Sequence, residues 1–344
     1  MKQWVERRTD VNGVRLAVFE FAEPGRVASV SRDGVASVGP DGVASVGPDG
    51  VASAGLDDRP TVLFVHGWPD THHVWTQVAA QLADDVRVVA YDTRGLGSSD
   101  SPRGVSAYRI ETLADDLYAV ARSVSPDAPV HVVAHDWGSI QSWEAMSRDD
   151  AAEHFASFTT ISGPCLDHVG VLFRENISHP TPRRVLDTVL QSIFSTYILL
   201  LHLPLGPTLI SATVGSPGAW KRFLHLMDGT PAEQIVVAPS LRRDMRSGAR
   251  YYRANMVRKV AAPNPRTTKV PVLELVNTRD FAVRTHLLRN TGRFAPDLTR
   301  LESPTPHWVP TTNPGYIADT IRDFLGRFAS RRSTVTTSDR ASIR

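Results

Sequence analysis

The chain has 344 residues and a formal charge of +2. That length suits one large domain or a domain carrying an insertion. Near-neutral charge gives no reason to expect nucleic acid or an acidic surface as partner, and the basic stretch over 242–259 reads as a solvated helix face. One cysteine, Cys165, cannot form an internal disulfide and reads as a small core residue. The N-terminus MKQWVERRTD lacks the apolar core of a secretory signal, so a cytoplasmic location is expected.

Residues 4–22 read as two short strands around a turn at Asn12–Gly13. A tandem octapeptide repeat, DGVASVGP, follows over 33–56, preceded by a partial copy. Apart from Leu56, three such units hold only Val and Ala as apolar residues and cannot bury a core, so 26–56 is expected to be a flexible insertion. Apolar runs bounded by turn residues then appear at 61–67, 86–92, 130–136, 155–163 and 270–278. Continuous Val/Leu runs fit parallel strands buried on both faces. Helical spacing connects them, as at Ile110, Leu113, Leu117 and Val120. Alternating strands and helices predict an α/β fold with a mostly parallel sheet.

The alternation stops near Gly163 and resumes near Val270. The predicted division is a core over 1–163 and 266–330, a helical cap over 164–265 and a disordered polar tail over 331–344. The most apolar stretch, 193–210, contains Pro204, Tyr197 and His202, too interrupted for a stable membrane span.

Ligands bind open α/β sheets at the carboxyl ends of the strands. Asp136 ends one predicted strand and begins a helix, with Ala134 and Gly138 two positions to either side. Small residues flank a strained turn that exposes a nucleophile. Taken alone, the pattern fits a strand-ending helix cap as readily. Two later residues complete it. Asp280 lies just past the strand at 270–278, and His307 follows TRLES. Nucleophile, acid, histidine is the order of hydrolase-fold triads. The turn after the first parallel strand, FVHGWPD, directs the backbone N–H of Trp68 toward the same place; with that of Trp137 it makes an oxyanion hole. The Gly-rich turn over 91–100 reads as structural.

Together these motifs resemble the α/β-hydrolase-fold epoxide hydrolases, over most of residues 1–330 outside the repeat. The matching elements are HGxP (His66, Gly67, Trp68, Pro69), the HDWG elbow (His135 to Gly138), Asp280 in an RDF-like turn, and the HW pair His307–Trp308. The phrases ISGPCLDHVG and YYRANM are similar to the hydrolase half of actinobacterial fusions with a short-chain dehydrogenase. The chain stops where such a dehydrogenase would begin, so no nicotinamide site is expected. No metal or other cofactor is expected either.

A carboxylate is ionised at neutral pH and attacks an sp³ carbon without a base. The histidine is then free to activate water against the resulting ester, with Asp136 as nucleophile, His307 as general base and Asp280 orienting it. The resemblance implies two cap tyrosines as donors to the epoxide oxygen. Tyr197, seven residues before Pro204, and Tyr252, in YYRANM, match them. Each also fits a core tyrosine with one satisfied hydroxyl, and Tyr251 competes for the second role. His66, Pro69 and Trp308 are expected at the substrate. The apolar residues around Tyr197 imply a lipophilic epoxide, with water as co-substrate; a homodimer is compatible. One departure stands out: Pro306 precedes the histidine where the family has glycine, which stiffens the loop and puts the aim of His307 in question. The alternatives are a haloalkane dehalogenase, with Trp220 as a halide donor, and a catalytically idle ligand-binding protein.

Overall fold

The computed structural model describes residues 2–23 and 59–341; the repeat over 26–56 lies outside the described residues. Eight strands form one sheet: β1 (Gln3–Val11), β2 (Val14–Ala22), β3 (Thr61–Val65), β4 (Arg87–Tyr91), β5 (Val130–His135), β6 (Phe155–Ile161), β7 (Val272–Asn277) and β8 (Leu298–Ser303). Their spatial order is β1-β2-β4-β3-β5-β6-β7-β8. β1 and β2 pair antiparallel, and β2 joins β4 antiparallel. All pairs from β4 to β8 are parallel. The N-terminal hairpin turns at Asn12 and Gly13, with φ of 52° and 77°. Positive φ at both central residues matches the twist of the flanking strands.

The core strands are apolar because both faces are covered. β3 and β5 are buried at every position. One face packs on α1 (Thr76–Leu82), α11 (Val309–Thr312) and α12 (Pro314–Ala341), through residues such as Val78, Ala79, Val309 and Ile321. The other packs on α2 (Ile110–Val124), α3 (Trp137–Met146) and α4 (Ala151–His154), through Leu117, Val120, Trp143 and Met146. In α2, Ile110, Leu113, Leu117 and Val120 all face inward, as their spacing requires.

Six helices lie between β6 and β7 among the described residues: α5 (Leu166–Ser178), α6 (Pro182–Phe194), α7 (Thr196–His202), α8 (Gly206–Thr213), α9 (Pro217–Asp228) and α10 (Leu241–Ala261). They form the cap. The basic stretch falls on α10, where Arg242, Arg243, Arg246 and Arg258 are exposed while Met245, Ala249, Tyr251 and Tyr252 are buried. At the C-terminus, helix α12 continues to Ala341 rather than ending at residue 330. No Pro or Gly interrupts 331–341, so the backbone meets no helix breaker there.

Candidate active site

Four loops converge at the carboxyl ends of β3, β5, β7 and β8. β5 delivers Asp136, whose φ of 51° and ψ of −123° hold it in a region L-residues rarely occupy. Such strain costs about 1–3 kcal/mol and persists only where the surroundings enforce it. Here the enforcing contact is close packing at Gly138, where an added Cβ would collide with the carbonyl oxygens of Val65 and His66. The helix-cap explanation of Asp136 fails, because its side chain makes no capping hydrogen bond to α3. Instead Oδ1 accepts the backbone N–H of Trp68 at 2.8 Å, and the nearby backbone N–H of Trp137 favours the charged carboxylate. Both expected oxyanion donors are therefore aimed at this group. Burial pushes the Asp136 carboxyl up to about 6, against the opposing pull of the His307 charge and the two backbone N–H groups.

His307, after β8, sits between two carboxylates. Its Nδ1 lies 2.8 Å from Asp280 Oδ2. Its Nε2 lies 3.8 Å from Asp136 Oδ2, too long for a direct hydrogen bond. Asp280 is locked by the backbone N–H groups of Ala282 and Val283, each 2.8 Å from Oδ1. Burial disfavours its charge, but His307 and these hydrogen bonds hold Asp280 below the usual carboxylate range. Burial likewise disfavours imidazolium, yet Asp280, Asp136 and Asp228 together raise His307 to about 9.

Pro306 does not misdirect the histidine, because a carboxylate fixes the backbone that follows it. Asp228, at the end of α9, accepts the backbone N–H of His307 on Oδ1 and that of Trp308 on Oδ2, both at 2.8 Å. From the core side, His135 Nε2 lies 2.9 Å from the carbonyl oxygen of His307. A carbonyl accepts, so this nitrogen carries the proton; burial lowers the ring to about 3 and keeps it neutral. Asp228 was not evident from sequence, where Asp228–Gly229 shows only a turn signal. Gly229 does close α9 in the left-handed conformation.

Over Asp136 lies a cavity of about 430 Å³. Its walls are mainly apolar and include Ile140, Phe173, Ile198, Met256, Val283 and Leu287. Asp136, Tyr197 and Tyr252 all line it. The two tyrosine rings meet edge to face with centroids 5.9 Å apart. The Trp137 ring also packs edge to face on Tyr252, with centroids 4.8 Å apart. Burial raises both phenols above their ordinary value, so both stay protonated at neutral pH. Tyr251 faces elsewhere: its hydroxyl donates to the Arg94 carbonyl and is hydrogen-bonded with Thr93 Oγ1 at 3.0 Å. This anchors the turn over 91–100, and Arg94 in turn pairs with buried Asp116.

Three expected substrate contacts are corrected. His66, Pro69 and Trp308 do not line this cavity. His66 is fully buried; its Nδ1 meets the Gly67 carbonyl at 2.8 Å and its Nε2 accepts the Thr93 N–H at 3.0 Å. Those bonds shape the oxyanion turn. The Trp308 indole donates to Asp70 Oδ2 at 2.9 Å, beneath α9. Pro69 is buried in the turn between them. Proximity in a motif identified the right loop but not the direction of each side chain.

This geometry places an elbow residue, an acid and a histidine on the strand ends of a doubly flanked sheet, and residues 60–314 match the alpha/beta hydrolase fold family. The chain belongs to that family. This α/β hydrolase is 36% identical over 273 residues to the "Probable oxidoreductase EphD" of Mycobacterium tuberculosis, an alignment that covers 78% of this chain and 46% of that protein. The chain thus spans less than half the length of that relative. It is 26% identical over 288 residues to "Epoxide hydrolase 3" of Mus musculus, covering 78% of this chain and 72% of that one. Among solved structures, a Bacillus megaterium epoxide hydrolase with an inhibitor superposes with a TM-score of 0.66 at 18% identity, over 93% of this chain and all of that one. At that identity the likeness speaks to the fold alone.

Proposed function

We propose that this α/β hydrolase converts a lipophilic epoxide to a vicinal diol through an alkyl ester on Asp136. The observation that carries the reading is the packing of Tyr197 against Tyr252 in the same apolar cavity as Asp136. A ring-opened epoxide is a poor leaving group unless an acid meets its oxygen, and a positioned acid contributes about 10²–10⁴ in rate. Two neutral phenols opposite a carboxylate supply that acid.

Asp136 Oδ1 is held by the Trp68 N–H, leaving Oδ2 as the attacking oxygen. Oδ2 forms a bond to a ring carbon, the carbon–oxygen bond of the epoxide breaks, and a phenol proton passes to the departing oxygen. The ester removes the negative charge beside His307. Without that charge the imidazolium loses part of its stabilisation, and its proton is released to restore the phenol that protonated the departing oxygen. Neutral Nε2 then takes a proton from water, and the hydroxide attacks Cγ of Asp136. The developing oxyanion on Oδ1 meets the N–H groups of Trp68 and Trp137. Collapse breaks the Cγ–Oδ2 bond, and the proton on His307 returns to the departing diol.

Haloalkane dehalogenation finds less support. Trp220 stacks on Phe223 and edges Trp308, outside the cavity. The Trp68 indole N–H is already committed to the carbonyls of Asp244 and Met245, each at 3.2 Å. The test is a single turnover of styrene oxide or an epoxy fatty acid in heavy-oxygen water. Label should enter Asp136 first and reach diol only in later turnovers. Binding without diol would support the idle alternative; label in the first diol would remove the ester.

A further inference from the structure

We infer that the α6–α7 face of the cap docks on an anionic lipid bilayer, so that the cavity draws its substrate from the membrane. The face is inverted for a helix in contact only with water. On α6, Val185, Leu186, Val189 and Ile193 are each at least half exposed, while Gln191 is buried. Positions 185, 189 and 193 share one face by their spacing of four. The exposed apolar surface continues through Leu199, Leu203, Leu205 and Leu209. Residues 188–220 carry no Lys, Arg, Asp or Glu. A contiguous apolar surface of this kind marks an interaction site.

Two observations select the occupant. The first is the mouth of the cavity. Leu199 and Val257 both line it, yet they are 70% and 66% exposed. Exposed Ser192 of α6 lines it too. The cavity therefore opens within the apolar face. A second copy of the chain seated there would cover this entrance, whereas a bilayer would feed it. The second is charge. Between residues 166 and 261 there are twelve Lys or Arg against six Asp or Glu, and Asp167, Asp228 and Asp244 are buried. Arg183 and Arg184 begin α6, the Arg284 guanidinium lies 5.2 Å from the ring centroid of Phe194 at its end, and Arg253 bonds to the carbonyls of Leu201 and Leu203. Asp187, the one acid on α6, is paired with Arg289 at 2.9 Å. Apolar side chains ringed by arginines are the pattern of interfacial binding to anionic lipid.

The mode is surface docking. Among the described residues no single helix is long and apolar enough to cross a membrane; α6 and α7 reach that composition only as a pair bent by 46°. The supply of substrate rests on the epoxide reading, but docking is read without turnover. The test is flotation of the full chain with vesicles of phosphatidylcholine alone or mixed with phosphatidylglycerol. Expected is binding to the mixed vesicles, weakened by salt, and lost by about tenfold or more in Val185→Glu/Val189→Glu. Neither valine lines the cavity, so hydrolysis of water-dissolved styrene oxide should persist. If the glutamates unfold α6, Leu186→Ser/Ile193→Ser replaces them, with thermal melts as the check on folding. The proposal is overturned if the parent chain stays unbound with both vesicles, if the folded variants float equally well, or if the parent is a dimer that they convert to monomer. Docking without diol formation would instead remove the epoxide reading and leave the surface.

Discussion

Neutralising Asp136 should turn His307 from an acid into a base, and Asp136→Asn isolates that effect. In the native site Nε2 of His307 lies 3.8 Å from Asp136 Oδ2. With an effective dielectric of about 20, a unit charge pair at this distance is worth about 4 kcal/mol. At about 1.4 kcal/mol per pKa unit this amounts to about 3 units. His307, raised to about 9 in the native site, should fall to about 6 in the asparagine variant. The Asp280 bond remains and keeps the ring oriented. The assay is an NMR titration of the His307 ring in both proteins. A variant ring that still titrates near 9 would refute the idea that ester formation releases the histidine for the second step. The sign also fixes a stability trend. A histidine whose pKa is raised on folding adds stability that is complete below its unfolded value of about 6.5 and is lost as pH rises through the folded value. In Asp136→Asn that alkaline loss should shrink, visible as a flatter dependence of melting temperature on pH between about 7 and 9.

Three further outcomes follow. The acid limb of kcat/KM should fall near pH 6, because Asp136 is raised to about 6 and must be ionised to attack; a limb near 4 would mean that the carboxyl is solvated in the free protein. Asp228→Ala should lower stability by about 2–4 kcal/mol, since it strips two buried N–H groups of their acceptors, and urea melts would measure it; a change below about 0.5 kcal/mol would show that water or another group replaces the carboxylate. Tyr197→Phe and Tyr252→Phe should each reduce kcat about 100-fold with little change in KM, as expected for loss of a proton donor; full activity in both would leave the epoxide oxygen without the proposed acid.

The sheet was legible because burial on both faces forces continuous apolar runs, as in β3 and β5. The edge strand β8 carries no such run, with Arg300 and Glu302 in a six-residue strand; TRLES still read as the strand before His307, from its place ahead of the histidine turn. Asp136, Asp280 and His307 were legible because strand-ending turns on such a sheet share one side. Asp228 was not, since its partners are 79 and 80 residues away and neither is a side chain. Backbone acceptor pairs leave no mark in a sequence. The same limit explains His66 and Trp308, whose loop was evident but whose hydrogen bonds point into the core and beneath α9. Tyr251 and Tyr252 are adjacent, and only the rotation of α10 decides which reaches the cavity.

The Trp68 indole, bonded to the carbonyls of Asp244 and Met245 in α10, moors the lid at one end. The carboxylate at the end of α9 moors it at another. Neither helix can lift away without unseating a backbone amide that serves the reaction centre. Breathing of the lid is then expected in the helices that these two moorings do not hold, α5 to α8, with α9 and α10 staying seated over the strand ends.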